Sequence, residues 1–235
     1  MLGQVNPTPY DLYFPCFGIH VRITPWFWLA GVLTGYVFLR EGLVNFLLVW
    51  IACLFVSILI HELGHALAGK LFGWPSDVML YHFGGVARFF HQDGYTTGKS
   101  VVVSFAGPWA GFLLYGLVVA AEYLLKQGNY LPVWEYGEYM PLPQFAIMQL
   151  KWINLYWGLV NLLPVLPLDG GRISEALFEQ YKPRDGLLWC LRIGTTVGAL
   201  AAAFFFFMDL RFAGILFPLL AIDNFQRLEQ YRSGW

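Results

Sequence analysis

An uncharged apolar run from Leu43 to Ile60 meets His61-Glu62-Leu63-Gly64-His65 at its end, and no other feature constrains the chain as tightly. A run of that length is a candidate bilayer span. Three ionisable side chains then crowd into five positions. Ionisable groups at membrane depth are expensive, which makes them a functional-site hypothesis by default. The rest of the chain agrees with a membrane setting. Only 12% of its 235 residues are charged, about half the share of an ordinary soluble domain. Several further apolar stretches are too long for core helices of a soluble protein. A net charge of -1 leaves no basic field for nucleic acid. Cys16, Cys53 and Cys190 are far apart and form no CxxC pair. No signal peptide is evident before Arg22.

The pattern predicts an all-α polytopic membrane protein of about six helices, folded as a single domain over residues 1–235. Spans are expected at Trp26–Leu39, Leu43–Leu71, Ser100–Leu125, Ile147–Leu163 and Leu187–Met208. A sixth begins near Phe212 and is long enough only if it runs on toward Leu228. Between the second and third helices, Asp77–Phe90 is β-branched and aromatic around Gly84-Gly85, which predicts a small β-hairpin. Residues 1–24 read as polar to mixed, with Pro, Gly and aromatics. Ile173, Leu177 and Tyr181 recur at four-residue spacing, as in a short amphipathic helix lying on a membrane. With alternating spans, one face collects Arg22, Lys70, Arg88, Lys99, Arg172, Lys182, Arg184, Arg227 and Arg232. The other has Arg40, Lys126, Lys151 and Arg211. The positive-inside rule then puts both termini and the His61–His65 end of the second helix on the cytoplasmic side.

Residues i and i+4 share a helix face, so His61 and His65 can present two imidazoles to one zinc ion. Glu62 lies beside them as a general base for water. Catalytic zinc usually takes a third protein ligand. The second motif, Asn161-Leu-Leu-Pro-Val-Leu-Pro-Leu-Asp-Gly-Gly-Arg172, closes another apolar stretch and offers Asp169. Its prolines stop the helix and free backbone groups that need new partners at membrane depth. On its own a D-G-G segment is simply a turn; paired with H-E-x-x-H it becomes a candidate ligand. Two readings follow, a zinc peptidase or a membrane metal-binding or transport protein using the same His/His/Asp set. Only the peptidase needs Glu62 as a base.

The motif pair resembles the site-2 protease family of intramembrane zinc metalloproteases. The resemblance covers roughly residues 17–225 and includes the Gly84-Gly85 hairpin and Phe105-Ala-Gly-Pro108. It implies Zn2+ on His61, His65 and Asp169, with Glu62 as catalytic base and Asn161 as an oxyanion donor. It implies substrate binding along Gly84, Gly85 and Val86, and cleavage of the transmembrane segments of membrane-protein substrates, as in regulated intramembrane proteolysis or signal-peptide clearance. Two departures stand out. Gly111 occupies the position where the family pattern A-G-P-x-x-N often has Asn. The chain also has no room for the PDZ or CBS domains of many relatives, so it resembles a minimal form whose regulation falls to partners or loops. His20, His82 and His91 read as interfacial side chains, and Glu122, Glu135 and Glu138 as solvated loop acids.

Overall fold

The computed structural model describes residues 6–82, 84–90, 93–132, 134 and 139–233. Helices dominate, and the chain divides into two compact units: Met1–Asp93 with Ala106–Gly158, and Gly94–Phe105 with Leu159–Trp235.

The first unit opens with strands β1 (Leu12–Cys16) and β2 (Ile19–Ile23). Helices α1 (Pro25–Thr34), α2 (Tyr36–Arg40) and α3 (Val44–Leu71) follow, then strands β3 (Ser76–Tyr81) and β4 (Gly84–Phe89). The expected hairpin at Asp77–Phe90 is present as β3–β4. It belongs to a larger sheet of order β1-β2-β3-β4, in which β2 and β3 run parallel and the other pairs antiparallel. The N-terminal strands were not expected, because prolines and glycines mask their alternation. Yet Ile19, Val21 and Ile23 alternate inward with period two. With Val78, Leu80 and Ala87 they form one core with Ile58, Leu63 and Ala66 of α3. The sheet is thus packed on the helix that carries His61 and His65. Gly69 deepens the contact, since a Cβ there would lie 3.0 Å from Cδ1 of Phe89.

The expected first span is broken at Gly35 into α1 and α2. The Trp50 indole N–H of α3 donates to Gly31 O and Thr34 Oγ1, both at 3.2 Å. A Cβ at Gly35 would sit 2.6 Å from Leu47 Cδ1. Close approach of α3 therefore favours glycine at the break. Helix α4 (Thr97–Gln127) and helix α5 (Leu142–Asn161) come next. Within this unit a Cβ on Gly64 would meet Ala110 Cβ at 2.9 Å, so small residues let α3 and α4 run almost backbone to backbone.

The second unit contains α6 (Asp169–Tyr181), α7 (Gly186–Phe207) and α8 (Arg211–Ser233). Helix α6 matches the amphipathic segment read from the sequence. Helix α8 runs continuously through the proposed sixth span, with Pro218 inside it. The freed backbone around Pro164 and Pro167 is taken up locally. Asn224, fully buried on α8, donates to Leu166 O at 2.7 Å and to Leu220 O at 2.8 Å. Gly194 of α7 leaves room for that amide, since a Cβ there would come within 2.5 Å of Asn224 Oδ1.

Among the described residues, three helices, α3, α4 and α7, are long and apolar enough to cross a membrane. Helices α5 and α8 have the length but carry more polar side chains, such as Lys151 and Asn154, or Asp223 and Arg227.

A buried ion pair fixes the N-terminal strands. Arg22 Nε donates to Asp11 Oδ2 at 2.6 Å, and Thr8 donates from its backbone N–H and hydroxyl at 3.1 and 2.7 Å. Burial pushes the Asp11 carboxyl up, but the bonds from Thr8 and Arg22 outweigh it, and the net shift is downward from 3.8. A depressed carboxylate stabilises the folded state above its unfolded value and loses that contribution as pH falls through the folded one. Hydrogen exchange of the β1 and β2 amides is therefore expected to accelerate below about pH 4. In Asp11→Asn the same amides should exchange faster at neutral pH and lack that acid dependence.

Candidate active site

Helix α3 turns its last three turns toward the sheet and α4, and His61, Glu62 and His65 are all buried there. The imidazoles of His61 and His65 meet edge to face, with Nε2 atoms 3.2 Å apart. Two nitrogen ligands on a tetrahedral zinc ion, each about 2.0–2.1 Å from it, are separated by roughly 3.3 Å. The ring nitrogens of α3 therefore already have the spacing of two ligands of one ion.

Glycines shape the walls. A Cβ on Gly85, the second residue of β4, would fall on the Glu62 carboxylate, 2.8 Å from Oε1. Gly84 has φ +119, and Trp157 of α5 packs against it, 3.2 Å from where a Cβ would be. The start of β4 is thus held between the Glu62 side chain and the Trp157 indole. Gly107 of α4 plays the same part for His65, whose ring would overlap a Cβ at that position. β4 has one neighbour in the sheet, β3, so its outer edge has no strand partner among the described residues.

In the second unit, Asp169 is the first residue of α6 and is buried. The two glycines after it permit a tight turn. A Cβ on Gly170 would lie 2.6 Å from Leu163 O, and one on Gly171 2.5 Å from the Val165 carbonyl carbon. Asn161, the last residue of α5, is buried as well. Chemically, the two imidazoles of the first unit and the Asp169 carboxylate of the second, all buried, are the donor types that zinc takes.

The weaker candidates fall elsewhere. His82 stacks edge-on against Tyr81 in the β3–β4 turn. His20 lines a cavity with Lys70, Trp74 and Phe90. Glu122 lies in α4, not in a loop, and accepts from Lys126 at 2.8 Å and Lys151 at 2.5 Å. His91, Glu135 and Glu138 lie outside the described residues. One polar residue near the site escaped the sequence reading. Asn154 of α5 is buried and donates to Ser57 Oγ at 2.9 Å, one helical turn before His61. Its Oδ1 would lie 3.6 Å from a Cβ on Gly111, so α5 brings an amide to the position where the family pattern often has Asn. The signal was an amide within the otherwise apolar stretch 152–160 of α5.

Residues 49–137 and 143–200 match the family model of peptidase family M50. The chain belongs to that family. It is 32% identical over 202 residues to a Synechocystis sp. protein provisionally named zinc metalloprotease sll0528, covering 80% of this chain and 49% of that protein. It is 28% identical over 229 residues to stage IV sporulation protein FB of Bacillus subtilis, covering 92% of this chain and 67% of that protein. The chain thus spans about half the length of the first relative and two thirds of the second. Among solved structures, the site-2 protease from Methanocaldococcus jannaschii is similar, with a TM-score of 0.59, 26% identity and 94% of both chains covered. Family and apolar helices together make this chain an integral membrane protein. The Synechocystis relative is named for zinc, and imidazole and carboxylate donors suit that ion.

A methyl at Gly107 must displace the His65 ring. Gly107→Ala is expected to weaken zinc binding about 10- to 100-fold, in the range of changes to groups that orient metal ligands. Competition with a chromophoric chelator measures it.

Proposed function

We propose that this protein is a zinc endopeptidase that hydrolyses peptide bonds within or near transmembrane segments of membrane proteins. The reading rests above all on one arrangement. The paired imidazoles of His61 and His65 flank Glu62 on an apolar helix, and Gly85 of an edge strand lies against that same carboxylate. Membership of peptidase family M50 supports it.

His61, His65 and Asp169 would hold the zinc. When bound, zinc supplies Lewis acidity, polarising a peptide carbonyl and letting water lose a proton near neutral pH. Glu62 takes that proton and returns it to the departing amine. Its burial and the absence of a side chain at Gly85 keep the carboxylate beside the β4 backbone. A substrate segment that unwinds and pairs with β4 along Gly84, Gly85 and Val86 would be held by main-chain hydrogen bonds, leaving its carbonyls close to Glu62. Unwinding comes first, because a helical peptide group is already hydrogen-bonded within its own segment. Asn161 is assigned to the oxyanion, where a donor acts on charge that develops only in the transition state.

The chain crosses the bilayer about six times, with termini and active-site end facing the cytoplasm, as the distribution of Arg and Lys supports. Its partners are transmembrane protein or peptide substrates and, for control, regulatory proteins.

Glu62→Gln decides between this reading and a metal-binding or transport protein. Co-expressed with a panel of single-pass membrane proteins, the variant should keep its zinc and let intact substrate accumulate, with cleavage slowed about 10²- to 10⁴-fold. Undiminished cleavage by Glu62→Gln would overturn the mechanism. Metal transport that survives in the variant, with no cleavage by wild type, would favour the alternative.

A further inference from the structure

Two cations converge on one indole in the second unit. Lys182 Nζ lies 4.5 Å from the ring centroid of Trp189, and Arg192 Cζ lies 5.4 Å from it. Neither forms an ion pair with a carboxylate among the described residues, and neighbouring Asp185 pairs with neither. The negative face of the ring attracts each cation but neutralises neither. The arrangement is therefore short of an anion.

Its depth says which anion. Helix α7 has 22 residues and the hydropathy of a span, and its length of roughly 33 Å matches the hydrocarbon core. Trp189 sits in its first turn, at the membrane boundary that indoles favour. Arg192 is about 4.5 Å further in, where an uncompensated guanidinium is costly. Its side chain reaches back toward Trp189 and carries the charge to the boundary. Just before Lys182, Leu177 and Tyr181 of α6 are both exposed and share a helix face. Apolar side chains beside the paired cations suit a ligand with an acyl chain as well as a phosphate.

We propose that Lys182 and Arg192, held over Trp189, bind the phosphate of an anionic phospholipid. The site lies on α7 and the α6–α7 turn, and it does not depend on the peptidase reading.

The test uses the full chain in bilayer discs of phosphatidylcholine, with or without phosphatidylglycerol, followed by thermal unfolding. Phosphatidylglycerol should raise the wild-type midpoint by about 2–4 °C. The rise should disappear in Lys182→Gln/Arg192→Gln and persist in Lys182→Arg/Arg192→Lys. It should also persist in Arg184→Gln, which removes a neighbouring charge from the same turn. Either single Gln variant replaces the double variant if the latter unfolds. The proposal is overturned if phosphatidylglycerol gives wild type no rise, if the Gln variants keep the rise, if Arg184→Gln loses it equally, or if inorganic phosphate reproduces it in phosphatidylcholine.

Discussion

The approach of the His61 and His65 rings, Nε2 to Nε2 at 3.2 Å, is the interaction on which the reading of this protein depends. Two buried imidazoles one helical turn apart, with ring nitrogens at this separation, have the spacing of two ligands of one ion. The helix repeat puts both rings on one face, and packing against them sets the rest of their spacing. The surrounding packing serves that pair. Gly64 and Gly107 bring α4 against the helix, and the β2–β3–β4 sheet packs on its other side through Ile58, Leu63 and Ala66. Gly85 then lays a strand backbone along Glu62. Small residues here act as spacers that set how closely backbone and ligand can approach.

A second constraint is the treatment of backbone that leaves the helical ladder. The turn from Asn161 to Asp169 leaves the helical ladder, and its buried backbone groups need other partners. Asn224 supplies one for Leu166, while Gly170 and Gly171 let the chain double back on its own carbonyls. The motif that delivers Asp169 is thus inseparable from an amide on α8, far away in sequence. Asn154 is the counterpart in the other unit, tying α5 to Ser57 one turn before His61.

Much of this was legible in the sequence, for physical reasons. H-E-x-x-H carries its geometry in its spacing, and long uncharged runs announce helices whatever they pack against. The β3–β4 hairpin was visible because β-branched residues and a Gly-Gly centre mark it locally. What stayed hidden was non-local. Strands β1 and β2 are short and interrupted by Pro15 and Gly18, so only their pairing with β3 reveals the alternation of Ile19, Val21 and Ile23. The break at Gly35 follows from Leu47 and Trp50, which no local pattern announces. Asn154 and Asn224 were missed because their partners Ser57 and Leu166 lie 97 and 58 residues away in sequence.

X-ray absorption at the zinc edge of the purified full chain tests the central claim most directly. The account predicts about one zinc per chain in a shell of nitrogen and oxygen only, with two imidazole ligands and a carboxylate. Asp169→Asn should alter the oxygen contribution and leave both imidazoles, and His65→Ala should remove one imidazole. Sulfur in the shell, or a shell unchanged by either substitution, would contradict it.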